Sequence, residues 1–325
     1  MSFAPIAVAD FSGPLFGLAT TPKGDVLIAD TGAGIIDRKS GQNTFPALPG
    51  ITDIAPIGNS ALWVSRSGGE GLFDHGQALL RVSKGQVKVV ANLFEFEATY
   101  NPQTDDVRSN PYDVHSLGGE AALVADAAAN DLLHIDFEGN IDVVAVFPTR
   151  LVDLTAIKAA LGCAANPVPP VCTIPANAIP AQAVPTSIAV GPDGYYYVGE
   201  LRGFPGPINQ SSIWRIAPGA SWADCGNTAD CEKIFDGGFT SIIDLVLGPE
   251  GLLYVVELDE NGWFAAQNGF GVGGTINACD LDTLDCVEVA TGIPFITAIT
   301  FGKDGQLWAT RNAVVPPIAD VIAIP

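Results

Sequence analysis

Apolar and polar residues alternate along the chain in pairs of short segments that are joined by tight turns. The clearest example is residues 184–200, VPTSIAVGPDGYYYVGE, in which an alternating run, a GPDG turn, a β-rich run and an acid follow one another. Alternation with a period of two predicts half-buried strands, and glycine supplies positive φ in the turn. This stretch therefore predicts a β-hairpin.

The same pattern recurs in looser form along the whole chain, and one or two further strand candidates follow each hairpin. A four-stranded unit repeated at this spacing is typical of β-propeller blades, because one unit cannot bury both faces of its sheet and a ring of units can. The sequence thus predicts an all-β, six-bladed β-propeller with four-stranded blades, a single domain over residues 1–325. Two packed β-sandwiches are the alternative, but they do not explain the recurring turn. The hairpins span residues 15–30, 51–66, 111–126, 184–200, 240–257 and 295–311.

The last unit ends at VIAIP and leaves no residues for its outer strand. The apolar, β-rich segment FAPIAVADF, residues 3–11, precedes the first hairpin. We expect this N-terminal strand to complete the last blade and close the ring, which hides sheet edges from other chains. The only useful helical periodicity lies in residues 151–161, LVDLTAIKAAL, and predicts one short helix inside an insertion.

The second strand of each hairpin returns to the face where the first strand begins, so its last residue is expected at one mouth of the central channel. The starts of the inner strands, which include Asp53, Asp113, Thr186, Thr240 and Thr297, should lie just outside this ring. The last residues of the six second strands are Asp30, Arg66, Asp126, Glu200, Glu257 and Arg311.

These mouth residues allow two interpretations. In the first, crowded carboxylates raise one another's pKa or hold a divalent cation, and hard oxygen ligands suit Ca²⁺ or Mg²⁺. In the second, each acid caps a nearby backbone turn, and Arg66 and Arg311 neutralise Asp30 between them. The predicted metal ligands are Asp30, Asp126, Glu200 and Glu257.

Five long segments are expected on the same mouth face, and segments of such length are usually functional or disordered. An acidic floor with an aromatic rim would make a small-molecule pocket, although the aromatic residues could instead pin the segments to the ring. The segments are residues 67–77, 94–110, 148–184, 201–212 and 258–274. Their aromatic residues are Phe73, Phe94, Phe96, Tyr100, Phe204, Trp263, Phe264 and Phe270.

The mouth suggests a chemistry without requiring it. If the protein is an enzyme, we expect a metal-assisted hydrolase, for example a lactonase, or a lyase, in which the cation polarises a carbonyl group. Arg66 or Arg311 would stabilise the developing oxyanion, and His75, beside Glu70 and Asp74, would be the base. The alternative is a non-catalytic scaffold that holds a partner with its aromatic loops.

The remaining histidines and the known short motifs add little to this chemistry. His115, in an inner strand, and His134, in a third strand, are interpreted as core or surface residues. No short motif for an organic cofactor or for a known nucleophile occurs, so we expect no organic cofactor.

The net charge and the composition exclude some classes of binding partner. There are 36 acids against 15 Lys and Arg residues, a net charge of −21, and such a field repels nucleic acid and anionic membranes. No apolar run approaches the ~20 residues that span a bilayer, so no membrane insertion is expected. A monomer with a small-molecule ligand is the expected state. The N-terminus lacks the features of a signal peptide.

The six cysteines fall into three neighbouring pairs. Fifteen pairings are possible and the sequence alone does not choose among them, but proximity favours 163–172, 225–231 and 279–286. No CxxC spacing supports zinc, and reduced thiols are the simpler alternative. Disulfides are favoured and indicate an oxidising compartment, hence a secreted or periplasmic protein.

Several phrases closely resemble the ScyD/ScyE family, which is named for products of the scytonemin gene cluster. They are NPYDVHSL, VADAAANDLLHID, VAVFP and VPTSIAVGPDGYYYVGELRGFPGP, followed by SIWRI, and they are most specific over residues 110–216. The resemblance implies an extracytoplasmic six-bladed propeller related to NHL-repeat proteins, and it carries over no catalytic residue. At the level of fold, the chain more distantly resembles the gluconolactonase-like, paraoxonase-like, strictosidine-synthase-like and virginiamycin-lyase-like propellers. Several of these propellers hold a divalent cation at the channel mouth.

Overall fold

The protein is a six-bladed β-propeller, as the repeat predicts. A computed structural model describes residues 11–45, 47–68, 76–104, 106–165 and 170–325. Six antiparallel sheets form the blades, and within each blade the strands follow one another from the axis outward in chain order. The inner strands of consecutive blades contact one another around the whole ring.

Each of the first three blades contains four consecutive strands, and the second and third are joined by one helix, α1 Leu93–Tyr100. Blade 1 consists of β1 Leu15–Thr20, β2 Val26–Asp30, β3 Gly34–Asp37 and β4 Gln42–Asn43; blade 2 of β5 Ile51–Ile57, β6 Ala61–Arg66, β7 Ala78–Ser83 and β8 Gln86–Asn92; blade 3 of β9 Pro111–Ser116, β10 Ala121–Asp126, β11 Asp131–Asp136 and β12 Ile141–Val146.

The second half of the chain repeats this arrangement with interruptions. Before blade 4, β13 Arg150–Asp153 pairs with β14 Ala178–Ala181, and β18 Ala223–Asp224 adds a parallel edge to β12. Blade 4 consists of β15 Pro185–Val190, β16 Tyr196–Glu200, β17 Ser211–Ile216 and β19 Cys231–Phe239; blade 5 of β20 Ile242–Leu247, β21 Leu253–Glu257, β22 Gly274–Cys279 and β23 Cys286–Ile293; blade 6 of β24 Ile299–Phe301, β25 Leu307–Arg311 and β26 Asp320–Ile324.

The core is divided among the junctions between blades. Each of six apolar clusters is built from two consecutive blades, and the last joins Leu15 and Leu18 of blade 1 to Ala298 and Ala313 of blade 6. Every blade therefore buries both faces against its neighbours, which is what a closed ring of twisted sheets requires.

The ring closes on residues that the structure describes. The backbone N–H of Leu15 donates to the carbonyl of Ala313 at 2.9 Å, and the hydroxyl of Thr297 donates to the carbonyl of Leu15. Phe11 packs against the closing cluster. Residues 3–10 of the strand predicted to complete blade 6, residues 3–11, lie outside the described residues, within which the sixth sheet has three strands.

The helix predicted at residues 151–161 is shorter than its periodicity indicated. It spans Thr155–Ala160, α2, because the preceding residues extend as β13 and take their backbone hydrogen bonds from β14. Leu151, counted as an apolar helix position, points into solvent with 73% of its surface exposed. Further helical turns cover Val171–Thr173, Trp263–Ala265 (α3), Ala266–Phe270 and Pro316–Ile318.

Helix α1 was not predicted and replaces the start of a long loop. Asn92 caps it by accepting the N–H of Glu95 at 3.2 Å, and Asn101 ends it in the left-handed conformation. Its buried face is narrow and consists of Leu93 and Glu97, so hydrophobic periodicity gives it almost no signal.

The three favoured cysteine pairings are confirmed. Cys163–Cys172, Cys225–Cys231 and Cys279–Cys286 are disulfides, and the last links directly paired residues of β22 and β23. Disulfides of this number are typical of proteins from oxidising compartments. In the described part of the chain, no helix has the length and hydropathy needed to cross a bilayer.

Candidate functional site

The six predicted mouth residues occupy equivalent places, because each is the last residue of the second strand of its blade. Asp30 and Asp126 share one arrangement of hydrogen bonds. Asp30 accepts the N–H of Ser12 at 2.8 Å and the two N–H groups that lie two and three residues ahead of it. Asp126 accepts the N–H of Asn110 at 2.6 Å and the equivalent two N–H groups. Both side chains are fully buried and cap the turn into the third strand.

Glu200 is neutralised within the protein. Its carboxylate accepts from the guanidinium groups of Arg202 and Arg150 and, at 2.6 Å, from the indole N–H of Trp214. Glu200 and Arg202 are both fully buried, and a buried pair of this kind persists only when its polar atoms are well satisfied. Arg150 also pairs with Asp236 at 2.9 Å and so connects the insertion before blade 4 to its outer strand.

The other mouth residues are engaged as well. Glu257 accepts the N–H of Thr240 and the amide N–H of Asn277, and burial, with the neighbouring charge of Glu260, raises its pKa to about 7. Arg311 makes a two-point ion pair with Asp320.

Arg66 ends β6, and its burial lowers the pKa of its guanidinium. His75, Glu70, Asp74 and Phe73 lie outside the described residues.

These contacts are those of the second interpretation, in which the acids cap turns and pair with arginines. Among the described His, Cys, Asp and Glu side chains, no group of three or more is arranged to hold a metal ion. A metal role for Asp30, Asp126, Glu200 and Glu257 stays a prediction. Arg311 forms an ion pair with Asp320, and the expected neutralisation of Asp30 by Arg311 is not seen among the residues that the structure describes.

A different set of acids lies on the axis. The inner strands of all six blades line a cavity of about 300 Å³, the axial channel. Three of the lining residues are aspartates, and each is the third residue of its inner strand: Asp53, Asp113 and Asp244. In blades 1 to 5 the register of the hairpin shifts between the first and third residues of this strand, so a bulge precedes the third residue.

The carboxylate of each of these aspartates accepts a backbone hydrogen bond from the next blade. One oxygen of Asp53 accepts the N–H of Val114 at 3.3 Å, Asp113 accepts that of Ile188, and Asp244 accepts that of Ile299 at 2.7 Å. Threonine hydroxyl groups near the starts of the inner strands also join successive blades, and Thr52, beside Asp53, donates to the carbonyl of Pro111 at 2.6 Å. Thr186 donates to the carbonyl of Ile242 at 2.7 Å, and Thr297 donates to that of Leu15.

The channel carboxyl groups are coupled. They are partly exposed, but only toward the channel, and protein surrounds them on every other side. Burial raises the pKa of Asp53 well above its usual range, and the charge of Asp113 and a hydrogen bond between the two carboxyl groups raise it further. Burial also raises the pKa of Asp113, while the same hydrogen bond lowers it. The contact between the two carboxyl groups therefore favours the protonated form of Asp53 and the ionised form of Asp113.

Asp244 is the third member of the set. Burial and the charge of Asp113 raise its pKa to about 8. His115, two residues after Asp113, has its pKa lowered by burial and also lines the channel. The channel thus holds carboxyl groups whose pKa values burial raises, beside an imidazole whose pKa burial lowers.

An aromatic pair lines the channel at the second position of two inner strands. The rings of Phe16 and Tyr112, from blades 1 and 3, lie 5.6 Å apart, and Tyr112 also packs against the cluster of blades 5 and 6. The lining continues to the sixth residues of the inner strands, such as Thr20 and Ser116, and the channel therefore extends away from the mouth. The hydroxyl of Tyr112 is buried and has no hydrogen-bond partner among the described residues.

Sequence reasoning placed Asp53 and Asp113 beside the mouth and missed Asp244. The signal was present, because the inner strands read ITDIA, PYDVH and IIDLV with the acid at the same position. The glycine of the first strand belongs to the same set. A side chain at Gly17 would come within 2.0 Å of the Asp53 carboxylate, so Gly17 makes room for it.

The predicted aromatic residues are mostly packed together. Phe204, Phe264 and Phe270 pack against a small apolar core built from residues 152–181 and Ala265, and the rings of Phe204 and Phe264 meet edge-on at 5.2 Å. The indole N–H of Trp263 donates to the carbonyl of Arg202 at 3.0 Å. These contacts hold the segments against one another, whereas Tyr100 stays 63% exposed.

Three solved structures illustrate the similarity of this fold to known proteins. A gluconolactonase from Xanthomonas campestris is 12% identical, with a TM-score of 0.61 and coverage of 98% of this chain and 88% of its own. Regucalcin from Agrobacterium tumefaciens, described as calcium-binding, is 16% identical, with a TM-score of 0.56 and coverage of 93% and 84%. Virginiamycin B lyase from Staphylococcus aureus is 15% identical, with a TM-score of 0.52 and coverage of 96% and 84%.

These likenesses show the fold. At such low identity they do not carry an activity or a ligand to this chain. No protein family that was compared matches the sequence. No curated protein matches it at a significant level either.

Proposed function

We propose that the protein is an extracytoplasmic propeller that binds a small, hydrophobic or aromatic molecule in its axial channel and transforms it by acid–base chemistry of the hydrolase or lyase type. The observation that carries the proposal is that the neighbouring carboxyl groups of Asp53 and Asp113 line one cavity of about 300 Å³. This volume suits a small ligand, and the walls are mainly aliphatic with a few convergent polar groups.

The pair supplies both partners of proton transfer. A carboxyl group that stays protonated near neutral pH can donate to a leaving group, and its ionised neighbour can accept a proton. Each group is held by the fold, since one oxygen of Asp113 and one of Asp53 are fixed by the backbone of the following blade.

Fold analogy supports the reaction class weakly, because neighbours include a lactonase and a lyase. The three disulfides support an extracytoplasmic location. The resemblance to the ScyD/ScyE family agrees with that location and with the fold. A Ca²⁺ or Mg²⁺ ion held by Asp30, Asp126, Glu200 and Glu257 would require these acids to exchange their present hydrogen bonds.

The test combines binding with turnover. We expect small aromatic fragments to bind in ligand-observed NMR, and we expect Ser116→Trp, which narrows the channel, to abolish binding. With dihydrocoumarin and p-nitrophenyl acetate as probes, Asp53→Asn and Asp113→Asn should reduce turnover at least 100-fold, on the order of the usual effect of a general acid or base. Asp142→Asn, an exposed acid of blade 3 that is 81% exposed, is the matched control. Fragment binding that survives Ser116→Trp, or turnover equal in all variants, would contradict the proposal.

A non-catalytic scaffold is the second candidate, because the mouth-face segments leave apolar side chains in solvent. Tyr100, Leu151 and Val272 are 63%, 73% and 59% exposed. A partner that covers them should bind equally well to the Asp53→Asn variant, which separates this function from the channel.

A further inference from the structure

The axial channel has acids on opposite sides and no basic side chain between them. Asp53 and Asp113 belong to blades 2 and 3, and Asp244 belongs to blade 5, whose inner strand lies across the ring from that of blade 2. All three side chains line one cavity of about 300 Å³, and none of the described residues that line it is Lys or Arg. A group on the channel axis therefore lies between acids that no lining side chain neutralises.

A buried phenol in the same channel lacks a hydrogen bond. The Tyr112 hydroxyl is shielded from solvent and has no hydrogen-bond partner in the part of the chain that the structure describes. Tyr112 lines the cavity from blade 3, and its ring packs against Phe16 of blade 1 and against the cluster of blades 5 and 6. Burial and the charges of the three channel aspartates raise the Tyr112 pKa well above its usual range. Because buried polar groups are normally hydrogen-bonded, this hydroxyl points to a polar group of a ligand.

The rest of the channel wall suits the apolar body of such a ligand. Aliphatic side chains, such as Ile54, Val114 and Leu245, line the cavity together with the rings of Phe16 and Tyr112. Aromatic faces attract organic cations, whereas Ca²⁺ and Mg²⁺ need a set of several oxygen ligands. No group of three or more described His, Cys, Asp or Glu side chains is arranged as such a set. The channel thus favours an organic cation over a metal ion.

We propose that the axial channel binds an organic ammonium ion with an apolar or aromatic body. Asp53, Asp113 and Asp244 surround its charge, and the Tyr112 hydroxyl accepts a hydrogen bond from its N–H. The site is the channel of the proposed function, so this assignment rests on that function and adds the class of ligand. The ammonium charge offsets the repulsion among the acids, and the net charge of −21 favours the approach of a cation.

Binding of a cation should depend on pH through the channel acids. The pKa of Asp244 is about 8, so this group becomes an anion as the pH rises from 6 to 9 and then attracts a cation more strongly. Burial lowers the pKa of His115, so its imidazole carries less positive charge in this range than an exposed histidine. The titratable side chains that line the channel are Asp53, Asp113, Asp244, Tyr112 and His115.

The experiment compares dissociation constants, measured by calorimetry, for 2-phenylethylammonium and its neutral counterpart 2-phenylethanol. At pH 8 we expect the ammonium ion to bind about tenfold more tightly, and Asp244→Asn to remove most of this preference. Asp142→Asn, which changes an exposed acid of blade 3, should behave like the wild type. Tyr112→Phe keeps the ring and should weaken 2-phenylethylammonium about fivefold, while it leaves benzyltrimethylammonium, which has no N–H donor, unchanged.

The outcomes separate this assignment from the proposed function. A preference for the ammonium ion that falls in Asp244→Asn, and not in Asp142→Asn, supports the assignment. Equal or tighter binding of the alcohol, with both ligands excluded by Ser116→Trp, overturns the assignment and leaves the channel function standing. A preference that persists in Asp244→Asn places the cation elsewhere and also overturns it.

Two further results complete the test. If neither probe binds, or if binding survives Ser116→Trp, the assignment and the proposed function both fail. If Asp244→Asn does not fold, the affinity of the wild type for benzyltrimethylammonium, whose charge is permanent, decides. A rise of about tenfold between pH 6 and pH 9 supports the assignment, and an affinity that does not change with pH overturns it.

Discussion

Replacement of Asp244 by asparagine tests the electrostatics of the channel. The native carboxyl group has a pKa of about 8, whereas the unfolded chain should titrate near 3.8. Between these values the native state binds one more proton than the unfolded state. The stability that this proton contributes is fully present below pH ~4 and is lost as the pH rises through about 8.

The size of the stability change follows from the slope of the free energy of unfolding against pH. One proton of difference changes the free energy of unfolding by about 1.4 kcal/mol per pH unit, so Asp244 should remove about 4 kcal/mol between pH 5 and pH 8. Asparagine does not titrate and keeps an oxygen that accepts the Ile299 N–H. We therefore expect the wild type to lose about 4 kcal/mol more than Asp244→Asn over this range, and the variant to be the more stable protein at pH 8.

The measurement is urea unfolding at pH 5, 6, 7 and 8 with intact disulfides, followed by tryptophan fluorescence. All other titrating groups are common to both proteins, so the difference between the two curves reports Asp244 together with its electrostatic effect on Asp53 and Asp113. Asp142→Asn, an exposed acid of blade 3, should run parallel to the wild type. Parallel curves for Asp244→Asn as well would refute the view that the channel holds this carboxyl group neutral.

Three further substitutions test contacts of the ring. Gly17→Ala should destabilise the protein by about 2–3 kcal/mol in urea unfolding, because its Cβ would lie 2.8 Å from backbone of blade 2, while Gly119→Ala, with its nearest atom at 3.5 Å, should be close to neutral. Thr297→Val should cost about 1 kcal/mol by removing the hydrogen bond that joins blade 6 to blade 1, and an unchanged melting temperature would contradict this. Glu200→Gln should cost about 3 kcal/mol because it leaves the buried Arg202 without its counter-charge, and a variant as stable as the wild type in urea unfolding would contradict this.

The repeat in the sequence was enough to predict the ring, since the hairpin pattern depends only on local alternation and turns. The three disulfides followed from short separations. Helix α1 was missed because its buried face consists of Leu93 and Glu97, and a buried acid gives the polar signal of a loop. Residues 151–153 were assigned to a helix for a related reason. They form a strand because they pair with the distant strand β14, and local hydrophobic periodicity does not report such pairing.

The candidate site was harder to predict because equivalent positions in a repeat do not have equivalent surroundings. Asp30 and Asp126 recur at strand ends, yet their oxygens are used by nearby backbone N–H groups. Asp53 and Asp244 recur at the third position of inner strands, yet they face a cavity. Aspartate occurs at the strand ends and in the inner strands alike. Its distance from the channel axis decides whether the carboxylate caps a turn or lines the cavity.

The cross-blade hydrogen bonds of the channel link its chemistry to the circumference of the ring. Asp113 is anchored on blade 4 and Asp244 on blade 6, so the spacing between the acids is set by how tightly successive blades are seated. A change at a distant blade junction would be transmitted to the acids as a change in their separation. Variation on the outer strands could then tune proton sharing at the axis without any substitution in the channel itself.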